Sequence, residues 1–370
     1  MYSVEDHRWM GLALKLAEKG ICTTTPNPRV GCVLVADGKL LGSGWHRKAG
    51  EPHAEVHALQ EAGSAAKGAT VYVTLEPCSH FGRTPPCADA LIAAGVARVV
   101  IAMQDPNPKV AGAGIARLRE AGIKVDCGLM EAASAQLNAG FVSRMTRGLP
   151  KVLSKIGMSL DGRTALSNGT SQWITGADAR LDVQRMRARS CAVMTGIGTV
   201  LLDDARLNVR EFECERQPLR VVVDSNLRMP LDARILDGGA LIYSAIADER
   251  KTAQLEKKGA TVVALPDGEG RVDLQAMLCD LARRGCNEVL VEAGAELNGA
   301  LLRAHLVDEL LLYVAPSLLG DMARGIADLG ELASLDQRVD LKWQDVRQVG
   351  SDLRILARVV NKTGCPPSRA

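Results

Sequence analysis

The stretch PHAEVHALQE, residues 52–61, places two histidines and a glutamate within five positions of a segment with a helical pattern. Residues four apart lie on the same face of a helix, so His53 and His57 could both bind one metal ion. His53 and Glu55 are two positions apart and point to nearly opposite sides of a regular helix. The stretch is compatible with a metal site or with a solvated surface helix, and by itself it does not decide between them.

Two cysteines offer further metal ligands. Cys78 and Cys87 bound the segment CSHFGRTPPC, which is too polar for a core strand and too rich in proline for a helix interior. Cys87 begins a predicted helix over 87–95, where the amides of the helix N-terminus favour the thiolate that binds metal. Other cysteines lie in apolar or mixed segments and are expected to be small buried hydrophobes: Cys22, Cys32, Cys127, Cys191, Cys279 and Cys286.

His53, Cys78 and Cys87 together make the open set of nitrogen and sulfur ligands that a catalytic zinc ion needs. We therefore expect one zinc ion per chain. Glu55, beside the metal without binding it, can take a proton from an attacking water and pass it to a ring nitrogen and a departing amine.

Two alternatives to this site stay open. In the first, His53 and His57 are the metal ligands. In the second, the metal only stabilises the fold, and a fourth protein ligand closes the site. His57 and His80 are the residues in register for that fourth position.

Alternating strand and helix patterns surround these residues. The predicted elements are a helix over 4–19, a hairpin over 30–45 with its turn at Asp37 and Gly38, a helix from His53, a strand over 71–77, a helix over 87–95, and strands within 96–103 and 121–129 separated by a helical stretch near 112–121. This alternation predicts an α/β domain with three layers.

A break in the pattern near residue 148 begins a second half. Gly148 and Pro150 interrupt the preceding helix, and 370 residues exceed what one core usually serves, so we predict two domains, 1–148 and 149–370. Strand-like runs again separated mostly by helical stretches indicate α/β structure: VLSKI, AVMTGIG, PLRVVVD, ALIYS, ATVVAL, EVLVEAG and DELLLYVAP. No GxGxxG fingerprint is present, but Gly294 joins a strand to a helix whose first amides suit a dinucleotide phosphate.

Charge and hydropathy exclude several classes of function. The formal net charge is +2 and no long basic block occurs, so we expect no nucleic-acid partner. No apolar run approaches the ~18 residues of a membrane span, and the N-terminal segment is charged throughout. We therefore expect a soluble, cytoplasmic chain with reduced thiols and no membrane partner.

The HAE motif followed by two cysteines resembles the zinc nucleobase deaminases, although eight residues separate Cys78 from Cys87 where that signature has two. With TPNPRVGCV, AGEPHAEVHAL, TLEPCSHFGRTPPC and QDPNP, the first half is similar to the family of bifunctional riboflavin-biosynthesis deaminase/reductases. The resemblance implies a cytidine-deaminase-like fold and a phosphorylated pyrimidine substrate, 2,5-diamino-6-ribosylamino-4(3H)-pyrimidinone 5′-phosphate. It also implies that Asn27 and Asn107 contact the pyrimidine and that His46 and Arg83 lie on the phosphate side.

The second half is similar to the reductase domain of the same family in KIGMSLDGRTA, SQWITG, TGIGTVLLDD, VVVDS and VEAG. The resemblance implies a dihydrofolate-reductase-like fold that uses NADPH to convert the ribosyl group to ribityl. The implied NADPH-binding residues are Gly157, Trp173, Thr199, Asp203, Ser225, Gly294, Ala295, Glu296, Leu297, Asn298, Gly299 and Ala300. The implied substrate-binding residues are Lys155, Ser171, Arg187, Leu207, Arg210 and Glu292.

The types of several residues in the second half suggest chemical roles for them. Arg187 and Arg210 could clamp a phosphate. Lys155 and Asp203 could each protonate the reduced sugar, and the sequence does not choose between them. We also expect a homo-oligomer formed through the reductase domain. The rival hypothesis is a general nucleoside or RNA deaminase with an inert nucleotide-binding module, which the SHFGRTPP insertion and the absence of basic runs disfavour.

Overall fold

The computed structural model describes residues 1–79, 86–108 and 110–360. It divides into two compact units, Met1–Gly148 and the chain from Leu149 onward. The division falls at Gly148, which ends a helix in the left-handed conformation at φ 69°. Glycine adopts this conformation without the steric cost that a side chain would add, which explains why the helix stops there.

The first unit is built on one sheet flanked by helices. Its strands are β1 (Gly31–Ala36), β2 (Lys39–Trp45), β3 (Thr70–Val73), β4 (Arg98–Ile101) and β5 (Lys124–Cys127). Its helices are α1 (Val4–Glu18), α2 (Ala54–Ala62), α3 (Cys87–Ala93), α4 (Ala113–Glu120), α5 (Glu131–Leu137) and α6 (Ala139–Arg147). The strand order is β2-β1-β3-β4-β5, with β1 antiparallel to both neighbours and β3, β4 and β5 parallel.

Alternate residues of β1 enter two different cores. Cys32 and Leu34 pack with the buried side chains of α2, α3 and α4. Val33 and Val35 pack with those of α1 on the opposite face. Because successive side chains of a strand point to opposite faces, a sheet covered by helices on both sides needs apolar residues at every position. The predicted three-layer α/β arrangement is confirmed.

The second unit is built on a larger mixed sheet. Its strands are β6 (Lys151–Ser159), β7 (Ala192–Gly196), β8 (Leu219–Val223), β9 (Ala240–Ser244), β10 (Ala260–Ala264), β11 (Glu288–Val291), β12 (Glu309–Ala315), β13 (Asp340–Val349) and β14 (Asp352–Val360). Its helices are α7 (Ala177–Arg189), α8 (Ile197–Asp203), α9 (Glu249–Glu256), α10 (Leu274–Arg283) and α11 (Ala295–Arg303). The strand order is β10-β9-β8-β7-β11-β6-β12-β14-β13.

The strands from β6 to β12 pair in parallel, and each matches a predicted apolar run. The hairpin of β13 and β14 was not predicted. It adds two antiparallel strands at one edge of the sheet. Most of β13 is exposed, so its sequence DLKWQDVRQV carries many polar residues and lacks the continuous apolar run of a buried strand.

The burial of the cysteines can be compared with the prediction that they are small buried hydrophobes. Cys32, Cys191 and Cys286 are buried as predicted, whereas Cys22 and Cys279 are half-buried. The prediction is wrong for Cys127, which is exposed because it ends β5 at the edge of the first sheet.

Candidate active sites

The first candidate site is a cluster of His53, Cys78 and Cys87. His53 is the N-cap residue of α2, Cys78 lies in the loop after β3, and Cys87 is the first residue of α3. The Nδ1 atom of His53 is 3.2 Å from the Sγ of Cys87 and 3.6 Å from the Sγ of Cys78. All three ligand atoms lie within 4.8 Å of one another.

This cluster fits a zinc ion. In a tetrahedral site with ordinary Zn–N and Zn–S bonds, neighbouring ligand atoms are about 3.6–3.8 Å apart. One of the two sulfurs is prepared to be a thiolate: hydrogen bonding by Cys87, and then by His53, lowers the pKa of the Cys78 thiol to about 4, whereas hydrogen bonding to Cys78, and then burial, raise the pKa of the Cys87 thiol. The backbone N–H of Cys87 donates to the same sulfur at 3.3 Å, as expected at a helix N-terminus.

Of the two alternative ligands, His57 is the one that the described residues include. His57 is outside the cluster, and the Nε2 atom of His57 is buried without a hydrogen-bond partner. His80 lies outside the described residues. The described residues thus supply three protein ligands, the number with which catalytic zinc sites keep a coordination position open.

Glu55 is buried beside the cluster. It is the second residue of α2, and only 3% of its surface is exposed. Burial raises the pKa of Glu55 to about 7, while the charge of His53 opposes that rise. Its Oε2 atom has no hydrogen-bond partner among the described residues. A carboxyl group that is protonated and deprotonated with similar ease can both accept and donate a proton.

The structure places His46 beside the metal ligand His53, and Asn27 beside His46. The rings of His46 and His53 pack edge to face with centroids 5.2 Å apart, and Asn27 Nδ2 is 3.0 Å from His46 Nε2. His46 is buried, and burial lowers its pKa, which favours the neutral ring. Asn107 lies in the segment between β4 and α4. Arg83 lies outside the described residues.

The second candidate site is a cavity of about 1760 Å³ in the second unit. It is lined by residues that follow β7, β8 and β11 at their carboxyl ends, where open α/β sheets bind ligands. The predicted residues that line it are Lys155, Gly157, Ser171, Trp173, Arg187, Thr199, Asp203, Leu207, Arg210, Ser225, Glu292, Gly294, Ala295, Glu296, Leu297 and Ala300.

Two predicted cofactor residues, Asn298 and Gly299, do not line this cavity. The buried Asn298 side chain accepts a hydrogen bond from Ser154 Oγ at 3.0 Å and donates one to the carbonyl of Ala293 at 3.0 Å. A Cβ atom at Gly299 would overlap the backbone of Asp328. The contacts of both residues fix α11 against its neighbours, and their predicted role toward the cofactor stays a prediction.

An ion-paired glutamate lies at the wall of the cavity. Glu292 is 9% exposed, and its carboxylate receives two hydrogen bonds from Arg187, Nε at 2.6 Å and Nη2 at 3.1 Å. Lys155 Nζ is 3.2 Å from the same carboxylate. Burial alone would raise the pKa of Glu292, but Arg187 and Lys155 outweigh it and lower the pKa to about 2. Glu292 is therefore a fixed negative charge at neutral pH.

The cavity also fits a dinucleotide. Gly294 caps the N-terminus of α11, and no atom would meet a Cβ built there within 4 Å, so a phosphate can approach the first amides of the helix. The Trp173 side chain is 65% exposed, an apolar surface available for stacking, and the guanidinium carbon of Arg180 lies 4.5 Å from its ring centroid. Arg180 was not predicted, because an arginine on a charged helix has no distinctive local signal.

The two arginines predicted to clamp a phosphate differ in their surroundings. Arg187 donates three hydrogen bonds to protein acceptors, two to Glu292 and one to the carbonyl of Asn208. Arg210 is 44% exposed and has a looser ion pair with Glu211 at 3.6 Å. Arg210 is thus the better placed of the two to meet an anion.

In the described ranges, no helix combines the length and the apolar character that a membrane crossing requires.

Comparison with known proteins assigns a family to each half of the chain. The model of the cytidine and deoxycytidylate deaminase zinc-binding region matches residues 3–103, and the model of the RibD C-terminal domain matches residues 150–355. The riboflavin biosynthesis protein RibD of Escherichia coli is 50% identical over 362 residues, covering 95% of this chain and 98% of that protein. RibD of Haemophilus influenzae is 45% identical over 366 residues, covering 96% and 97%.

Solved structures of similar proteins match nearly all of this chain. RibD of Acinetobacter baumannii superposes with a TM-score of 0.90 at 44% identity, covering 96% of this chain and 99% of that one. The diaminohydroxyphosphoribosylaminopyrimidine deaminase/5-amino-6-(5-phosphoribosylamino)uracil reductase of Thermotoga maritima superposes with a TM-score of 0.86 at 32% identity, with the same coverage.

Proposed function

Because the chain belongs to the RibD family of bifunctional riboflavin-biosynthesis deaminases and reductases, we propose how its two units divide the reactions. Residues 1–148 deaminate 2,5-diamino-6-ribosylamino-4(3H)-pyrimidinone 5′-phosphate, with zinc as cofactor. Residues from 149 onward use NADPH to reduce the ribosyl group of the product to ribityl.

In the deamination, His53, Cys78 and Cys87 would hold the zinc ion. When bound, the ion supplies Lewis acidity for hydrolysis at neutral pH. Glu55 takes a proton from the attacking water, delivers it to the pyrimidine ring nitrogen, and assists the departure of the amine as ammonia. The observation that carries this role is the buried carboxyl group of Glu55, which has an unpartnered oxygen beside the His-Cys-Cys cluster.

Residues other than the metal ligands and Glu55 recognise the substrate in the first unit. Asn27 and Asn107 present both a donor and an acceptor to the edge of the heterocycle. His46 and Arg83 lie toward the phosphate. The contact of Asn27 with His46, and of His46 with His53, supports one continuous pocket from the metal ligands to the substrate residues.

In the reduction, the first amides of α11 and the exposed Trp173 would hold NADPH. When bound, NADPH supplies the hydride that reduces the sugar carbon. Glu292 orients Lys155 through their ion pair, and Lys155 Nζ donates the proton that the reduced sugar needs. Asp203, which also lines the cavity, is the second candidate for that donor.

One assay tests the division of labour. The purified protein is incubated with the diaminopyrimidinone phosphate, with and without NADPH, and the products are identified by mass. We expect the deaminated ribosylamino compound without NADPH and the ribitylamino compound with it. A protein that binds zinc but leaves the pyrimidine unchanged would support a purely structural metal site instead.

We also propose that the protein acts in the cytoplasm as a homo-oligomer formed through its second unit. Exposed apolar side chains on the β13–β14 hairpin at the sheet edge support this: Trp343, Val346 and Leu353. An edge strand with such residues can pair with a second copy. Light scattering of the wild type and of a Trp343→Lys variant tests it, and a monomeric wild type would contradict it.

A further inference from the structure

Glu76, two residues before Cys78, is a buried carboxylate surrounded by backbone amides. Only 5% of its surface is exposed. Its Oε2 atom accepts the N–H groups of Asp105 at 3.0 Å and Gly112 at 2.9 Å. Its Oε1 atom accepts those of Gly114 at 2.8 Å and Ile115 at 3.1 Å. One side chain therefore receives hydrogen bonds from four backbone positions of a distant part of the chain.

These contacts hold a defined segment. One oxygen of Glu76 binds the amides of Asp105 and Gly112, which lie on either side of Asn107 in the chain, while the other oxygen satisfies amides in the first turn of α4. Within the segment, the Asn107 N–H donates to Asp105 Oδ1 at 2.8 Å. Charge-assisted hydrogen bonds are stronger than neutral ones, and together they restrict where this segment can lie.

The start of α4, which follows Gly112, is packed against the loop that carries Cys78. A Cβ atom at Gly114 would overlap the carbonyl oxygen of Pro77, so α4 begins in direct contact with the residue between Glu76 and Cys78. The backbone of Glu76 also donates to the carbonyl of Met103 at 2.9 Å. Glu76 thus joins the loop of one metal ligand to the loop of one pyrimidine-binding residue.

We propose that Glu76 is a positioning residue of the deaminase site, which sets the distance and orientation of Asn107 relative to the zinc ligand Cys78. The inference rests on the proposed roles of Asn107 and Cys78 in deamination. Glu76 acts on the substrate only through the segment it holds. Small displacements of groups that orient a substrate cost about 10²-fold in rate, so the effect is measurable.

The test is a double-mutant cycle of Glu76→Gln and Asn107→Ala, with steady-state deamination kinetics and zinc content as readouts. Each carboxylate oxygen of Glu76 accepts two backbone N–H groups. A glutamine side chain has one carbonyl oxygen, so its NH₂ group would face two of these donors and could not accept from them. We expect Glu76→Gln to raise KM about tenfold or more while zinc stays at one per chain. In the Asn107→Ala background, Glu76→Gln should add little further loss, because the residue it positions is already gone.

Two further variants separate positioning from general stability. Glu76→Asp keeps the charge but is one methylene shorter; it should also raise KM, and it decides the question if Glu76→Gln does not fold. Asp6→Asn removes another buried carboxylate of this unit, which accepts from Ser3 N at 2.8 Å and Tyr72 Oη at 2.8 Å. It should lower the melting temperature and leave KM unchanged.

The possible failures are distinguishable. An unchanged KM in both Glu76 variants, or full multiplication of the two effects in the double mutant, would overturn the positioning role while the proposed function stands. Loss of zinc without a change in KM of the zinc-reconstituted protein would also overturn it. A wild type that does not deaminate the pyrimidine overturns both the proposed function and this inference.

Discussion

Glu55 of the first unit and Glu292 of the second are both buried glutamates in candidate active sites, 3% and 9% exposed. Their environments differ in the cations that contact the carboxylate. Burial raises the pKa of Glu55 to about 7, and one of its oxygens has no hydrogen-bond partner among the described residues. Glu292 also experiences burial, but Arg187 and Lys155 lower its pKa to about 2.

The comparison shows that burial alone does not give a carboxyl group its role. Without a cation in direct contact, burial penalises the charged form of the carboxyl group, and the group exchanges protons near neutral pH. With two cations in contact, the charged form is retained and the group becomes an electrostatic anchor. The first arrangement suits a proton shuttle in hydrolysis, and the second suits the orientation of a lysine beside a hydride transfer.

The largest expected effect is loss of the metal that the first site needs. Cys87→Ser replaces a thiolate ligand with a hydroxyl, which zinc binds poorly, so stoichiometric zinc and deamination should both be abolished. Reduction of separately supplied deaminated substrate should persist. Zinc analysis and product masses measure these outcomes. Cys127→Ser, at an exposed cysteine of the same unit, is the matched control and should keep full zinc; full zinc in Cys87→Ser would disprove the ligand assignment.

Next comes removal of the proton shuttle with the metal site intact. Glu55→Gln cannot carry a proton, so deamination should fall ~10²–10⁴-fold, the range of general acid–base contributions. Zinc content should not change, because Glu55 lies outside the ligand set. The variant should still oxidise NADPH when given the deaminated intermediate, as followed by absorbance. Near wild-type deamination would remove Glu55 from the mechanism.

A third expectation concerns the paired glutamate. Glu292→Gln leaves Arg187 buried without its counter-charge, and breaking such a pair costs about 3–5 kcal/mol of unfolding free energy. Reduction should fall because Lys155 loses its anchor, while deamination continues. Urea unfolding and NADPH oxidation measure the two effects, with Glu256→Gln on the exposed face of α9 as control. Equal stability of Glu292→Gln and wild type would show that the ion pair contributes nothing net.

The same pair predicts a pH dependence. The pKa of Glu292 is about 2 in the folded protein against an ordinary value of 4.5. Its contribution to stability is therefore fully present above pH 4.5 and is lost as the pH falls toward 2. The difference in urea midpoint between wild type and Glu292→Gln should shrink across this window. A difference that stays constant from pH 6 to pH 3 would contradict the depressed pKa.

The smallest effect is expected at His57. Because His57 is outside the metal cluster, His57→Asn should keep zinc and both activities, with a stability change of about 1 kcal/mol or less. Zinc content and thermal unfolding are the measurements. A large loss of zinc would revive the site with two histidine ligands.

Local pattern was sufficient for much of the fold. The turn at Asp37 and Gly38 adopts positive φ at both residues, 48° and 70°, which an Asp-Gly pair between alternating strands predicts. The parallel strands of the second unit were found because a strand covered on both faces must be apolar throughout. The β13–β14 hairpin was missed for the converse reason, since an exposed edge places no such demand on its residues.

For the sites, the sequence by itself determined the candidate ligands. Residue type and position, at predicted helix starts or in an adjoining loop, were enough to single out His53, Cys78 and Cys87, because metal binding needs particular donor atoms. The family resemblance supplied the cavity residues of the second unit. These are properties of short segments, readable before the chain is folded.

Only the tertiary structure decided which groups meet. Arg187 and Glu292 are 105 positions apart in the chain, and Glu76 is 29 to 39 positions from the amides it binds. Nothing local distinguishes an arginine that pairs with a buried carboxylate from one that faces solvent. Since the pKa of a buried carboxyl group depends on what lies within a few ångströms of it, the opposite pKa shifts of Glu55 and Glu292 were set by packing.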